Sequence, residues 1–140
     1  MWVSLKPGKV VVVLNGRQAG KKAVIVQSFE EGSKSRKFAH VLVAGIERYP
    51  RKITKSMTKK QILKRTNIKP FVKCINLQHV MPTRYSVDID LKNVVNSADM
   101  KNKDKLIESK KNLKKIFQEK HLGGAKSGSG NEWFFQKLRF

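Results

Sequence analysis

Between Arg48 and Val87 the chain carries Arg48, Arg51, Lys52, Lys55, Lys59, Lys60, Lys64, Arg65, Lys69, Lys73 and Arg84, and not one Asp or Glu. The chemistry open to such a set is the neutralisation of a row of anions. Guanidinium forks engage phosphate oxygens two at a time, and lysine ammoniums act as point charges. The excess runs through the whole chain, where 31 Lys and Arg stand against 10 Asp and Glu in 140 residues, a formal net charge of +21. Self-repulsion on that scale disfavours a compact state until a polyanion balances it. A charge run is usually a solvated surface, but one this long without a counter-charge points to nucleic-acid contact.

Within the set, Arg48-Tyr49-Pro50-Arg51-Lys52 is the sharpest stretch. Tyr49 either stacks on a splayed base or sugar or fills the core at a corner of the fold, and Arg84-Tyr85 is open to the same two readings. Upstream, Gly16 to Gly20 brings bare backbone beside Arg17, Lys21 and Lys22. Glycines there let N–H groups approach a phosphate closely. A Walker loop does not fit, because Asn15 stands where the first glycine belongs and Lys21 is followed by Lys22 rather than Ser or Thr. A hairpin whose cations touch RNA backbone fits better. The candidate RNA-binding residues are therefore Arg17, Lys21, Lys22, Arg48, Tyr49, Arg51, Lys52, Lys55, Lys59, Lys60, Lys64, Arg65, Lys69, Lys73 and Arg84.

Catalysis finds little support. His40, His79 and His121 are scattered, no His-Glu-x-x-His pattern occurs, and neither a metal nor a cofactor is expected. Asp88 and Asp90 would share one face of a strand, where carboxylates beside Arg84 read as structural. The single cysteine, Cys74, reads as a small core residue; it excludes an internal disulfide and a Cys-rich zinc site and suits a reducing compartment. Met1 to Leu14 lacks the pattern of a signal peptide. The longest apolar runs, Val10–Leu14 and Val41–Ile46, fall far short of the ~20 residues of a membrane span. A soluble intracellular protein is expected, with no membrane and no small-molecule substrate.

A hydrophobic fraction of 39% allows one modest core of roughly 80–100 residues plus basic extensions. Lys9–Leu14, Lys21–Val26 and His40–Ile46 are too short and too β-branched for helices and read as strands. Asn15-Gly16 is a turn pair, Glu31 to Ser35 a polar loop, and Gly45 marks a bulge or a close backbone approach. One short helix is expected within Thr54–Thr66, a fourth strand over Phe71–Leu77, a turn at Met81-Pro82-Thr83, and a closing strand over Tyr85–Ile89. The pattern predicts a mainly β fold, a small antiparallel barrel. Ser97–Lys120 predicts a basic amphipathic helix with Leu106, Leu113 and Phe117 on one stripe, flanked by Ile107 and Ile116. Residues 1–90 thus form the barrel with its inserted helix, 91–122 a basic helical extension, and 123–140 a Gly/Ser linker and aromatic tail. Phe134 or Phe135 is expected to dock on the barrel with Trp133 more open, and the helix and tail to order only on assembly.

Lys6-Pro7-Gly8-Lys9-Val10-Val11 through Gly16-Arg17, Gly20 and Lys22-Ala23-Val24-Ile25-Val26 resembles a KOW motif, an RNA-binding hairpin on SH3-like barrels. The blocks His40 to Lys52, Met81 to Asp88 and Trp133 to Phe140 are more specific. In order, the four resemble the eukaryotic large-subunit ribosomal protein family numbered twenty-seven, which is unrelated to the bacterial family of that number. The resemblance implies an SH3-like barrel in a non-catalytic constituent of the cytosolic 60S subunit. It would touch ribosomal RNA and neighbouring ribosomal proteins, in the cytoplasm, after nucleolar or nuclear passage. The alternative is a KOW-type chromatin or transcription adaptor that binds nucleic acid incidentally; such modules usually sit among repeats or acidic tracts, and the chain has neither.

Overall fold

The computed structural model describes residues 5–123 and 131–139. The opening four residues, most of the Gly/Ser linker and Phe140 lie outside them. Five strands follow the β-branched runs: β1 (Lys9–Val13), β2 (Lys22–Phe29), β3 (His40–Arg48), β4 (Lys69–Asn76) and β5 (Val80–Ser86). They pair antiparallel in the order β4-β3-β2-β1-β5, with Val10 opposite Val24, Ala23 opposite Gly45 and Val43 opposite Lys73. Alternate residues serve two separate cores, which is why the strands read as continuous apolar runs. Val10, Val24, Leu42, Ala44, Ile46 and Val72 enter one cluster, and Val11, Ala23, Ile25, Val43, Phe71 and Val80 the other.

The β4–β5 connection sets the shape of the sheet. These are its two edge strands, yet only the 3-10 turn Leu77–His79 joins them. Four Cα steps reach at most about 14 Å. In a flat sheet, strands four spacings apart would lie about 19 Å from one another. The sheet therefore curls, and the second cluster, drawn from all five strands, fills the inside of the curl. Among the described residues no ladder joins β4 to β5, so the sheet is not closed, and in this the expected barrel is corrected. The predicted closing strand is likewise displaced. β5 ends at Ser86, and its partner is β1 along Val13–Val80 to Lys9–Ser86. The predicted turn Met81-Pro82-Thr83 lies inside β5, because an edge strand need donate hydrogen bonds on one side only.

The inserted helix α1 is shorter than predicted, Lys59–Arg65. Thr58 fixes its start through a capping box: its hydroxyl accepts from the Gln61 N–H, and the Gln61 amide oxygen accepts from the Thr58 N–H. None of its residues is buried. The predicted C-terminal helix splits into a 3-10 turn, Ser97–Lys101, and α2, Lys103–Gly123. Asn102 separates them, its side-chain oxygen accepting from the Asp104 N–H.

The outer face of the sheet is covered by α2 and the tail. Leu113, Phe117 and Phe134 are fully buried and Phe135 nearly so, while Leu106 packs at the margin and Ile107 faces out. Phe134 belongs to the short helix α3 (Asn131–Phe134), and Phe117 meets its ring edge-on at 5.5 Å. Each such side chain contributes about 1.5–3 kcal/mol by leaving water. The helix and tail thus pack as a layer of the same core as the strands. Trp133 is the most open of the three tail aromatics among the described residues.

Gly45 marks a close approach. A Cβ there would stand 2.5 Å from the Lys22 carbonyl oxygen and 2.6 Å from the Phe71 ring. Gly45→Ala is expected to lower stability by about 1–3 kcal/mol through overpacking. Urea unfolding should show a lower midpoint at unchanged slope.

Candidate nucleic-acid interface

The Asn15–Lys21 hairpin is built by glycines. Gly16 and Gly20 take φ of +91° and +82°, and the Gly20 N–H donates to the Val13 carbonyl at 2.7 Å. Arg17 is exposed at its tip. Lys73, from the edge strand β4, brings its Nζ to 3.3 Å from where a Gly16 Cβ would sit, so the two cations share one end of the curl.

Following β3, the chain leaves the sheet at Arg48 and makes an exposed arm that ends with α1. The Arg51 N–H donates to the Arg65 carbonyl at 2.7 Å, and the Arg65 guanidinium donates to the Lys52 carbonyl at 3.1 Å. Those two bonds close the base of the arm. Lys55, Lys59, Lys60 and Lys64 on it are exposed.

Beside the base of the arm lies an open groove of about 1210 Å³. Two parts of the chain line it, here named its two walls: Lys21, Arg48, Arg51, Lys52 and Arg65 from the strands and the arm, and Lys120, Lys137 and Arg139 from α2 and the tail. Among the described residues Glu47 and Glu132 are its only acids, and Glu47 already pairs with Lys69 at 3.5 Å. That pair engages one of the predicted cations. Arg84 stands apart on β5, donating to the Tyr85 hydroxyl at 3.0 Å. Asp88 and Asp90, expected on a strand, lie beyond the end of β5, and Asp90 accepts from the Lys92 N–H and the Asn93 amide and so serves as a local turn brace.

Two predicted RNA contacts prove to be interior residues. Tyr49 is 7% exposed, and its hydroxyl accepts from the Lys22 backbone N–H at 2.7 Å; of its two readings, the core one holds. Burial pushes the phenol up to about 12. Lys22 is 1% exposed. Its ammonium donates to the Trp133 carbonyl at 2.6 Å and to the Gln136 carbonyl, and lies 3.9 Å from the centre of the Trp133 ring. That ring in turn stacks on Tyr85 at 4.5 Å. Carbonyl dipoles and a π face offset part of the ammonium's desolvation cost, and burial lowers its pKa to about 8. In sequence Lys22 reads as one more hairpin cation because its partners lie more than a hundred residues away.

The sequence reading missed Lys120, Lys137 and Arg139 as members of the groove. The available signal was their setting, a basic helix end and basic residues alternating with the tail aromatics. What could not be read was which wall they would face.

Comparison with known proteins now adds the lineage. Residues 10–140 match the Ribosomal L27e protein family. The chain belongs to that family. It is similar to "Large ribosomal subunit protein eL27B" of Saccharomyces cerevisiae, 52% identical with 97% of each chain covered. It is likewise similar to "Large ribosomal subunit protein eL27" of Tetrahymena thermophila, 55% identical, and to "Large ribosomal subunit protein eL27z" of Arabidopsis thaliana, 48% identical, again with 97% of each chain covered. The resemblance drawn from four sequence blocks is therefore borne out for this L27e protein. Its hairpin glycines, the Arg48–Lys52 segment and the aromatic tail belong to one folded unit.

Titration of the two interior residues gives stability a definite pH profile. Between about pH 8 and 10 the unfolded chain holds a proton on Lys22 that the folded chain has released, so stability rises with pH. Above 10 an unfolded Tyr49 ionises while the buried phenol does not, so stability falls. Tyr49→Phe, which strands the buried Lys22 N–H, is expected to cost about 1–3 kcal/mol at neutral pH. It should also flatten the decline above pH 10, as measured by urea midpoints between pH 7 and 11.

Proposed function

We propose that this L27e protein is a non-catalytic structural constituent of the large (60S) ribosomal subunit, bracing folded ribosomal RNA in cytosolic translation. The observation that carries this is the groove with eight cations on its walls, flanked by an arm whose lysines pair with no acid among the described residues. Family membership and the names of the relatives support the same reading. The mechanism is neutralisation of packed phosphates by a preformed shape, with little readout of base sequence. Arg17, Lys21, Arg48, Arg51, Lys52, Lys55, Lys59, Lys60, Lys64, Arg65, Lys73 and Arg84 are the proposed contacts, with Lys69 acting after release from Glu47. Neighbouring large-subunit proteins complete the partners, and nucleolar or nuclear passage precedes cytoplasmic function.

The curled sheet is proposed to be an SH3-like barrel of the KOW type, left open between β4 and β5. The short Leu77–His79 connection and the core drawn from all five strands support this. Residues 1–90 make that unit, 91–122 the helical layer, and 123–140 the linker and tail.

Two measurements test the proposal. With about ten cations neutralising phosphates, the log–log slope of RNA affinity on salt should fall near −7 to −9. A shallow slope would point to aromatic stacking instead. In cells, Arg51→Glu should reduce co-sedimentation with 60S particles and Lys37→Glu, on a loop away from the groove, should not. Equal loss from both, or from neither, would overturn the assigned surface.

A further inference from the structure

We infer that the groove seats a continuous run of phosphodiester backbone held between two walls, and that Lys22 acts from inside the core as the positioning residue for the tail wall. This rests on the RNA-binding reading above and adds to it a site three of whose eight cations come from the C-terminal segment. The groove, at about 1210 Å³, exceeds the ~300–1,000 Å³ typical of small-ligand pockets. Its lining is cationic on both sides, as a strand of phosphates requires and an apolar ligand does not.

The two walls come from distant parts of the chain and carry the same sign. Lys21, Arg48, Arg51, Lys52 and Arg65 line the same groove as Lys120, Lys137 and Arg139, so each set repels the other until anions lie among them. Something must hold the tail against that repulsion. Among the described residues Phe134 and Phe135 are the last buried apolar anchors of the tail, and Trp133 stacks on Tyr85 upstream of them. Beyond Phe135 the Lys22 ammonium takes over, because its second acceptor is the Gln136 carbonyl, on the residue immediately before Lys137. Lys22 cannot touch a phosphate itself, being 1% exposed. Its effect on binding is to fix the backbone from which Lys137 and Arg139 reach the groove. By linkage, a bound strand that screens the two walls tightens the tail by the factor with which the docked tail tightens the strand.

The test uses the full chain and a fluorescein-labelled 12-nucleotide uridine RNA, titrated from 50 to 200 mM KCl. The Lys137→Ala, Arg139→Ala double variant should lower the magnitude of the salt slope by about 1.4, so the wild-type advantage shrinks about sevenfold across that range. Lys22→Met should reproduce most of that loss although it removes no exposed charge, and the triple variant should lose no more than the double. A wild-type slope in Lys22→Met beside a reduced one in the double variant would overturn the role of Lys22. An unchanged slope in the double variant would overturn the two-walled site. A wild-type chain that fails to bind the RNA at all would overturn the RNA-binding reading itself. If Lys22→Met does not unfold cooperatively, Trp133→Leu, which removes the ring beneath the ammonium and leaves β2 intact, takes its place with the same expected and overturning results.

Discussion

Repulsion among 31 basic side chains is the constraint that the rest of this fold accommodates. Among the described residues a single ion pair, Lys69 with Glu47, relieves it. Cohesion must therefore come from apolar burial, and the chain arranges this on both faces of one sheet. On the inner side the sheet curls over its own β-branched residues; on the outer side Leu113, Phe117, Phe134 and Phe135 supply the cover. Cations are left outside that frame, on an arm, a hairpin tip and the rim of a groove, where their mutual repulsion is lowest and a polyanion can reach them.

One cation is treated differently. Lys22 is drawn inside, paired with no carboxylate among the described residues, and its charge is met by two main-chain carbonyls and an indole face. Its own N–H is met by Tyr49. A leucine at this place would avoid the desolvation cost but would leave the Trp133 and Gln136 carbonyls without a donor. The lysine thus links β2, the corner after β3 and the tail, three segments far apart in sequence, through one residue.

Much of the fold is legible in local sequence. The β-branched runs mark four strands, the stripe on α2 marks its buried face, and Gly45 marks a tight approach. What is not legible is set by pairing. Met81-Pro82-Thr83 carries the signals of a turn and becomes strand because it lies on an edge beside β1. Thr54 to Met57 is permissive for helix, but the cap at Thr58 delays its start. The same division holds in the site. An acid-free stretch is visible as a nucleic-acid surface, whereas the burial of Lys22 and Tyr49, and the arrival of Lys137 and Arg139 at the groove, depend on contacts across the whole chain.

Helix α1 and the arm that carries it, from Arg51 to Arg65, place no side chain in either core. Their sequence is accordingly answerable to what lies outside the molecule rather than to its integrity. Over generations the frame and the arm should drift under separate rules: substitutions in the frame are filtered by whether the polypeptide survives as a folded object, and those in the arm by how well the finished particle works.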